Sequence, residues 1–202
     1  MFVAFGLPRV VATAVVGAVL FSEPTSAQTI DPNRPAALVM RLHDGIMAAA
    51  GVGWPPDRRT IAQLVGNSFD LPAIASTVLG AHAAAATPAQ RERLARALGN
   101  LLVRELMRRR PIPGDRFTVI ETRATRPGEW LVITSVTPSG EANINLIWRV
   151  RAESDGLRII DTLRDGVSAV ITEKSDIASA LRNSTLDAVI SELERRAAAS
   201  GS

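Results

Sequence analysis

The hydrophobic period changes twice along this chain, and that double change constrains the fold more than any single motif. From residue 36 to about residue 109, apolar side chains recur at helical spacing. Between residues 117 and 164 they alternate as in strands, and past Gly166 the helical period returns. Helices first, a meander next and helices last predict an α+β layer fold. Residues 155–196 state the closing half most clearly: a charged turn, a strand, a Gly166-Val167-Ser168 corner and two apolar-striped segments.

The local signals place each element. A first helix spans residues 36–50, with Leu38, Leu42 and Ile46 on one stripe, and the Gly/Pro-rich residues 51–56 break it. A short second helix covers residues 58–65. Asp70 caps a third, which tolerates Pro72 early, turns Ile74, Val78 and Leu79 to one side and ends at Gly80. Thr87-Pro88-Ala89-Gln90 is a capping box with proline in the first turn. That helix should reach about Arg109, burying Leu94, Leu98, Leu101, Leu102 and Leu106, before Pro111 and Pro113 forbid continuation.

About four strands follow, over residues 117–123, 130–137, 142–151 and 157–164. The turns Arg126-Pro127-Gly128, Pro138-Ser139-Gly140 and Ser154-Asp155-Gly156 are short, so the strands pair as an antiparallel meander. In the third strand Ile144, Leu146, Trp148 and Val150 alternate with Asn143, Asn145, Arg149 and Arg151, giving one apolar face. Beyond Gly166, Val170, Ile171, Ile177 and Leu181 should face inward. Ser184 opens the last helix, with Asp187 at the capping-box position and Leu186, Val189, Ile190 and Leu193 buried.

Residues 1–27 read as a secretory signal peptide. Arg9 is its one basic residue, residues 10–21 are its apolar run, and Thr25-Ser26-Ala27 is a cleavage site before Gln28. The run is shorter than the roughly 20 apolar residues that cross a bilayer. An uncleaved anchor helix is the alternative, without a stop-transfer pattern to support it. Residues 28–202 then form a single domain outside the cytoplasm, most simply in a periplasm, after a polar lead-in over residues 28–35. With no cysteine there is no lipid-attachment thiol, disulfide or thiolate metal site. The net charge is +3, and Lys174 is the only lysine, so arginine carries the positive charge. Arginine favours fixed contacts with phosphate or carboxylate; a compositional habit explains the same bias. Aromatics are 4% and tyrosine is absent, which argues against nucleic-acid binding.

Few residues suggest chemistry. His43 and His82 have no partner at metal spacing, so no metal or cofactor is expected. Ser168 lacks the Gly-x-Ser-x-Gly elbow, because residue 170 is Val. Asp161 is either a polar residue satisfied by its neighbours or, in an enzyme reading, a buried base. Arg108, Arg109 and Arg110 either meet a helix macrodipole or contact a phosphate or an acidic partner.

Phe69-Asp70-Leu71 through Val78-Leu79-Gly80 resembles a block of the MlaC, or toluene-tolerance, family of periplasmic lipid-binding proteins. Thr87-Pro88-Ala89-Gln90-Arg91 is similar to the family's next block. Leu157-Arg158-Ile159-Ile160-Asp161 with Asp165-Gly166-Val167-Ser168 resembles the third, and Leu186, Asp187, Val189, Ile190 and Leu193 resemble the terminal segment. The chain departs at Leu157, where the family has tryptophan, and at Ala81 to Ala86 and Leu106, where tyrosines are common.

The resemblance implies a cystatin- or NTF2-like sheet wrapped by helices, with an apolar cavity between the layers. It implies a monomeric shuttle without a chemical step, part of the machinery of outer-membrane lipid asymmetry. Phospholipid would pass between an inner-membrane ABC transporter complex and an outer-membrane complex by transient contacts; a related hopanoid-associated branch makes a polycyclic lipid an alternative. Carriage is physically sensible: at about 0.8 kcal/mol per methylene, exposing a chain of some 16 carbons costs on the order of 13 kcal/mol. Candidate cavity-lining residues are Val78, Leu94, Leu98, Leu101 and Leu102 from helices, and Val119, Val132, Ile144, Leu146 and Trp148 from strands. Val167 and Ile171 complete the set from the closing segment. Arg108, Arg109 and Arg110 are the candidates for head-group or partner contact.

Overall fold

A computed structural model describes residues 33–108, 110, 115–137 and 143–199. Residues 1–27, read above as a signal peptide, the Pro138-Ser139-Gly140 turn and Arg109 lie outside the described residues. Helices α1 (Asn33–Val52), α2 (Arg58–Ser68), α3 (Leu71–Leu79) and α4 (Pro88–Leu106) come first, with a 3₁₀ turn at Gly80–Ala83. Strands β1 (Arg116–Arg126), β2 (Glu129–Thr137), β3 (Ile144–Glu153), β4 (Gly156–Arg164) and β5 (Val167–Ser168) form one antiparallel sheet in chain order. Helices α5 (Ala169–Ala180) and α6 (Leu186–Ala198) close the chain. No described helix is long and apolar enough to cross a membrane.

The caps explain where helices begin. Asp57, Asp70, Ser168 and Thr185 each accept a hydrogen bond from the backbone N–H three residues on, satisfying one of the orphan donors of a first helical turn. Thr87 and Gln90 close the expected capping box reciprocally. Arg91, next to it, donates to the carbonyls of Ala83 at 3.1 Å and Ala86 at 2.8 Å, fixing the bend that leads into α4. At Gly80 the backbone turns to φ +53°, and the stem of Lys174 lies so close that a Cβ would meet its Cε at 2.8 Å.

Four expectations change. The sheet has five strands rather than about four. The extra one is two residues long, joined to β4 by Asp165 and Gly166, both at positive φ in a tight two-residue hairpin. α4 ends at Leu106, not Arg109. The last helix is capped by Thr185 rather than Ser184, and Asp187 reaches across to Arg93 and Gln90 instead of closing a capping box. Ile171 is 55% exposed, whereas Val170 and Ile177 are buried.

Packing divides into two cores. In one, α1 and α2 supply Leu38, Val39, Leu42, Ile61 and Val65 against Val132, Trp148, Val150 and Ile159 of the sheet. Directly opposed residues share a sheet face, so Trp130, Val132 and Thr134 lie with Val150, Trp148 and Leu146. Two polar groups on this face satisfy each other: Trp148 Nε1 donates to Thr134 Oγ1 at 2.9 Å, and Thr134 donates to the Leu146 carbonyl at 3.2 Å. The second core is made by helices, with Ala75, Val78 and Leu79 of α3, Leu94, Ala95 and Ala97 of α4, Val170 and Ile177 of α5, and Val189, Ile190 and Leu193 of α6.

Strand β4 ties these layers together. Its register against β3 steps from Arg149–Asp161 to Val150–Ile159, leaving Ile160 as a bulge residue. Beside the bulge, the Asp70 N–H donates to the Ile159 carbonyl at 3.0 Å, while the Asp70 carboxylate caps α3 and accepts from Arg151 at 3.0 Å. Asp161 is 3% exposed and accepts from Ser168 Oγ at 2.7 Å and from the Val170 N–H at 3.2 Å, which anchors the start of α5. Thr134→Val should cost about 1–3 kcal/mol in urea unfolding, because the buried indole N–H loses its acceptor; an unchanged midpoint would contradict this packing.

Candidate functional site

The two cores do not merge. Leu71 and Ile74 pack against both, and at the seam between α3, α4, α5 and β4 a hollow of about 300 Å³ remains. Its walls are Phe69, Leu71, Ile74, Val78, Leu98, Leu101, Leu102, Ala169 and Val170; Arg104, Glu105, Asp161, Thr162, Glu173 and Arg196 complete the lining. That volume lies at the lower end of the roughly 300–1,000 Å³ typical of small-molecule pockets.

Helix α4 explains why space is left. Its small residues Ala95, Ala97 and Gly99 are buried, and Gly99 lets Leu71 of α3 come so near that a Cβ would meet its Cδ1 at 2.8 Å. Its large residues Leu98, Leu101 and Leu102 are only partly buried and border the hollow. Bulky aliphatic groups facing a void offer apolar area without hydrogen bonds to orient a guest.

The expected site residues separate into groups. Val78, Leu98, Leu101 and Leu102 come together around the hollow. Leu94 is fully buried in the helical core, and Val132 and Trp148 fill the sheet core. Val119 and Leu146 pack against the sheet core, and Ile144 is partly exposed. Val167 is 64% exposed on the outside with Ile171. The stripe of α4 therefore divides: Leu98 and Leu101 pack on the helical core, whereas Leu102 and Leu106 pack on the sheet core. Phe69 and Leu71 were not foreseen as walls, although they flank the Asp70 cap, and Ile74 and Val170 were read only as inward-facing.

The polar part of the lining is nearly all engaged. Both Asp161 oxygens accept hydrogen bonds, and Arg149 lies 3.7 Å away. Glu173 is the exception. Its Oε1 is buried without a hydrogen bond, and Arg196 approaches only to 4.0 Å, the outer limit of an ion pair. Burial pushes the Glu173 carboxyl above the usual carboxylate range, Arg196 opposes this, and Asp176 reinforces it. No group of three His, Asp or Glu among the described residues could hold a metal ion. His43 instead stacks on Phe117, with ring centroids 4.1 Å apart.

A larger cleft of about 1010 Å³ adjoins the hollow, lined by Pro55, Arg58, Asn100, Arg104, Met107, Arg108, Glu194 and Ala197 to Ala199. Arg104 borders both spaces. Of the three arginines singled out in the sequence, Arg108 lines this cleft and pairs with Glu105 at 2.9 Å, and Arg110 is exposed. Among the described residues, no leucine, isoleucine, valine or phenylalanine lines the cleft, whereas nine apolar residues wall the smaller hollow, so the hollow is the candidate site for hydrocarbon.

Comparison with known proteins places this geometry. A search of curated proteins finds no match. The solved structure of a phospholipid-binding protein from Ralstonia solanacearum, in complex with a phospholipid, is similar to this chain with a TM-score of 0.66 at 21% identity. The match covers 80% of this chain and 96% of that one, and it shows a shared fold. The family model described as MlaC protein matches residues 56–195, from the start of α2 almost to the end of α6 and thus across every wall of the hollow; the chain belongs to the MlaC family.

Proposed function

We propose that this protein is a periplasmic lipid carrier that shelters acyl chain in the hollow between α3, α4 and α5, with no chemical step. The observation that carries the reading is the row of partly exposed leucines on α4 that borders the hollow. Family membership and the phospholipid held by the similar Ralstonia protein support the same cargo class. Residues 1–27 would direct export, and residues 28–202 would be the lipid-binding domain. Phospholipid would pass between an inner-membrane ABC transporter complex and an outer-membrane complex. Arg108, Arg109 and Arg110 would lie toward the head group or the partner.

The energetics suit exchange rather than storage. Each methylene moved out of water gains about 0.8 kcal/mol, and a dry aliphatic wall returns nearly the same to a membrane that takes the chain back. The hollow is small for a whole lipid, so loading requires α3 and α5 to move apart. The seam favours that, because Leu71 and Ile74 bridge two cores instead of locking into one. The competing reading, with Asp161 as a general base, loses support because both of its oxygens already bind α5.

Three outcomes test the reading. Protein purified from the periplasm, extracted and analysed by mass spectrometry, should carry lipid in stoichiometric amount, and Leu98→Trp with Leu101→Trp should lower that loading about tenfold or more. Normal loading in a folded double variant would contradict the assignment, and a polycyclic lipid in place of phospholipid would redirect the cargo. Leu94→Ala, in a filled core, should cost about 2–5 kcal/mol in urea unfolding, and Leu101→Ala, at the void, less than half of that. Equal costs would mean that the hollow is packed.

The third outcome concerns Glu173, whose pKa is raised in the folded state by burial. The folded protein therefore binds this proton more tightly than the unfolded chain, and the associated stability is lost as pH rises through the folded pKa. Glu173→Gln should raise Tm at pH 7 relative to the wild type, with the gap closing toward pH ~4. A gap independent of pH would show that the carboxylate is not strained by burial.

A further inference from the structure

Two arginines in the cleft beside the hollow lack a counter-charge. Arg58 is the first residue of α2, and Arg104 lies near the end of α4. Their side chains converge on consecutive carbonyls at the end of α6: Arg58 Nη2 donates to the Ala197 carbonyl at 3.4 Å, and Arg104 Nη1 donates to that of Arg196. Every carboxylate lining the two adjoining spaces has another cation. Glu194 pairs with Arg93 at 2.9 Å and Glu105 with Arg108 at 2.9 Å; Asp161 has Arg149 at 3.7 Å, and Glu173 has Arg196 at 4.0 Å. Among the described residues, neither Arg58 nor Arg104 has a carboxylate partner.

Helix stability explains only half of this arrangement. Cations beside the α6 carbonyls are favourable, but a cation in the first turn of α2 faces the positive end of that helix. A guanidinium also carries several N–H donors in a fork, and each of these two engages one acceptor. The remaining donors border a cleft of about 1010 Å³ that shares Arg104 with the apolar hollow. Two uncompensated guanidiniums gain most from a dianionic or bidentate oxyanion, and the fork matches the spacing of two phosphate oxygens.

We propose that Arg58 and Arg104 form a phosphate clamp beside the apolar hollow, which takes the phosphate of a lipid head group while the tails lie between α3, α4 and α5. The lipid source of that phosphate rests on the carrier reading; the anion site itself does not. The clamp separates the work by chemistry: the hollow accepts any aliphatic chain, and the arginines select chains that end in phosphate.

The test loads lipid-stripped full-length protein from detergent micelles with either phosphatidylglycerol or diacylglycerol of identical acyl chains, quantified by mass spectrometry. Inorganic phosphate alone is titrated separately. The wild type should prefer phosphatidylglycerol by about tenfold or more, and added salt should erode that preference without lowering diacylglycerol loading. Arg58→Gln with Arg104→Gln should abolish the preference and leave diacylglycerol loading intact; Arg34→Gln with Arg41→Gln, on α1, should keep it. The salt dependence of the wild type decides the case if the double variant does not fold.

A salt-independent preference, or one retained in the folded double variant, would overturn the clamp and leave the carrier reading standing. Absence of all lipid loading, with phosphate bound by the wild type and lost in the variant, would keep the anion site and sink the carrier. Failure of both lipid and phosphate binding would overturn both.

Discussion

Strand β4 holds two helices by two acidic residues, and the hollow exists because of that geometry. Asp70 bonds the Ile159 carbonyl through its N–H and caps α3 with its carboxylate. Asp161, two residues beyond Ile159, grips the start of α5 through Ser168 and Val170. Both helices therefore leave the same short stretch of one strand. They pack on each other above it, and α4 roofs the space between them. The bulge at Ile160 makes this attachment workable, since it loosens the β3–β4 ladder where the Ile159 carbonyl must reach a partner outside the sheet.

The proposed carrier needs rigid walls and a movable door, and the two cores suit these tasks. The sheet core is completed by α1 and α2 and satisfies the buried Trp148 indole with Thr134. On the helical side, α4 and α6 are locked by Arg93, which reaches Asp187, Ser191 and Glu194, and by Gln90, which reaches Asp187. Arg58 and Arg104 hold the far end of α6. By contrast, the contacts across the seam come from partly buried Leu71 and Ile74. Aliphatic contacts are non-directional, so they can be remade against a hydrocarbon guest at little cost.

Much of this was legible in the sequence, because capping and turn chemistry are local. Asp70, the Thr87–Gln90 box, Gly80 as a helix end and the glycine-containing turns after β1 and β3 follow from the residues themselves. The side of α4 that meets empty space did not follow. The stripe of Leu94, Leu98, Leu101 and Leu102 predicts an apolar face, but periodicity cannot distinguish a face that fills a core from one that borders a void. That distinction was set by Ala95, Ala97 and Gly99, whose small size draws neighbouring helices onto the adjoining face. β5 escaped because two residues carry no period. Glu173 and Arg104 escaped because their roles depend on burial and convergence between elements far apart in the chain.

The central claim is that hydrocarbon enters the seam between α3, α4 and α5 and nowhere else. Intermolecular nuclear Overhauser effects between an isotope-labelled acyl chain and the methyl groups of the protein test it most directly. The account predicts contacts to Ile74, Val78, Leu98, Leu101 and Leu102, with Val132, Val150 and Ile159 silent in the sheet core. Contacts confined to that core, or to exposed groups such as Val167 and Ile171, would contradict it.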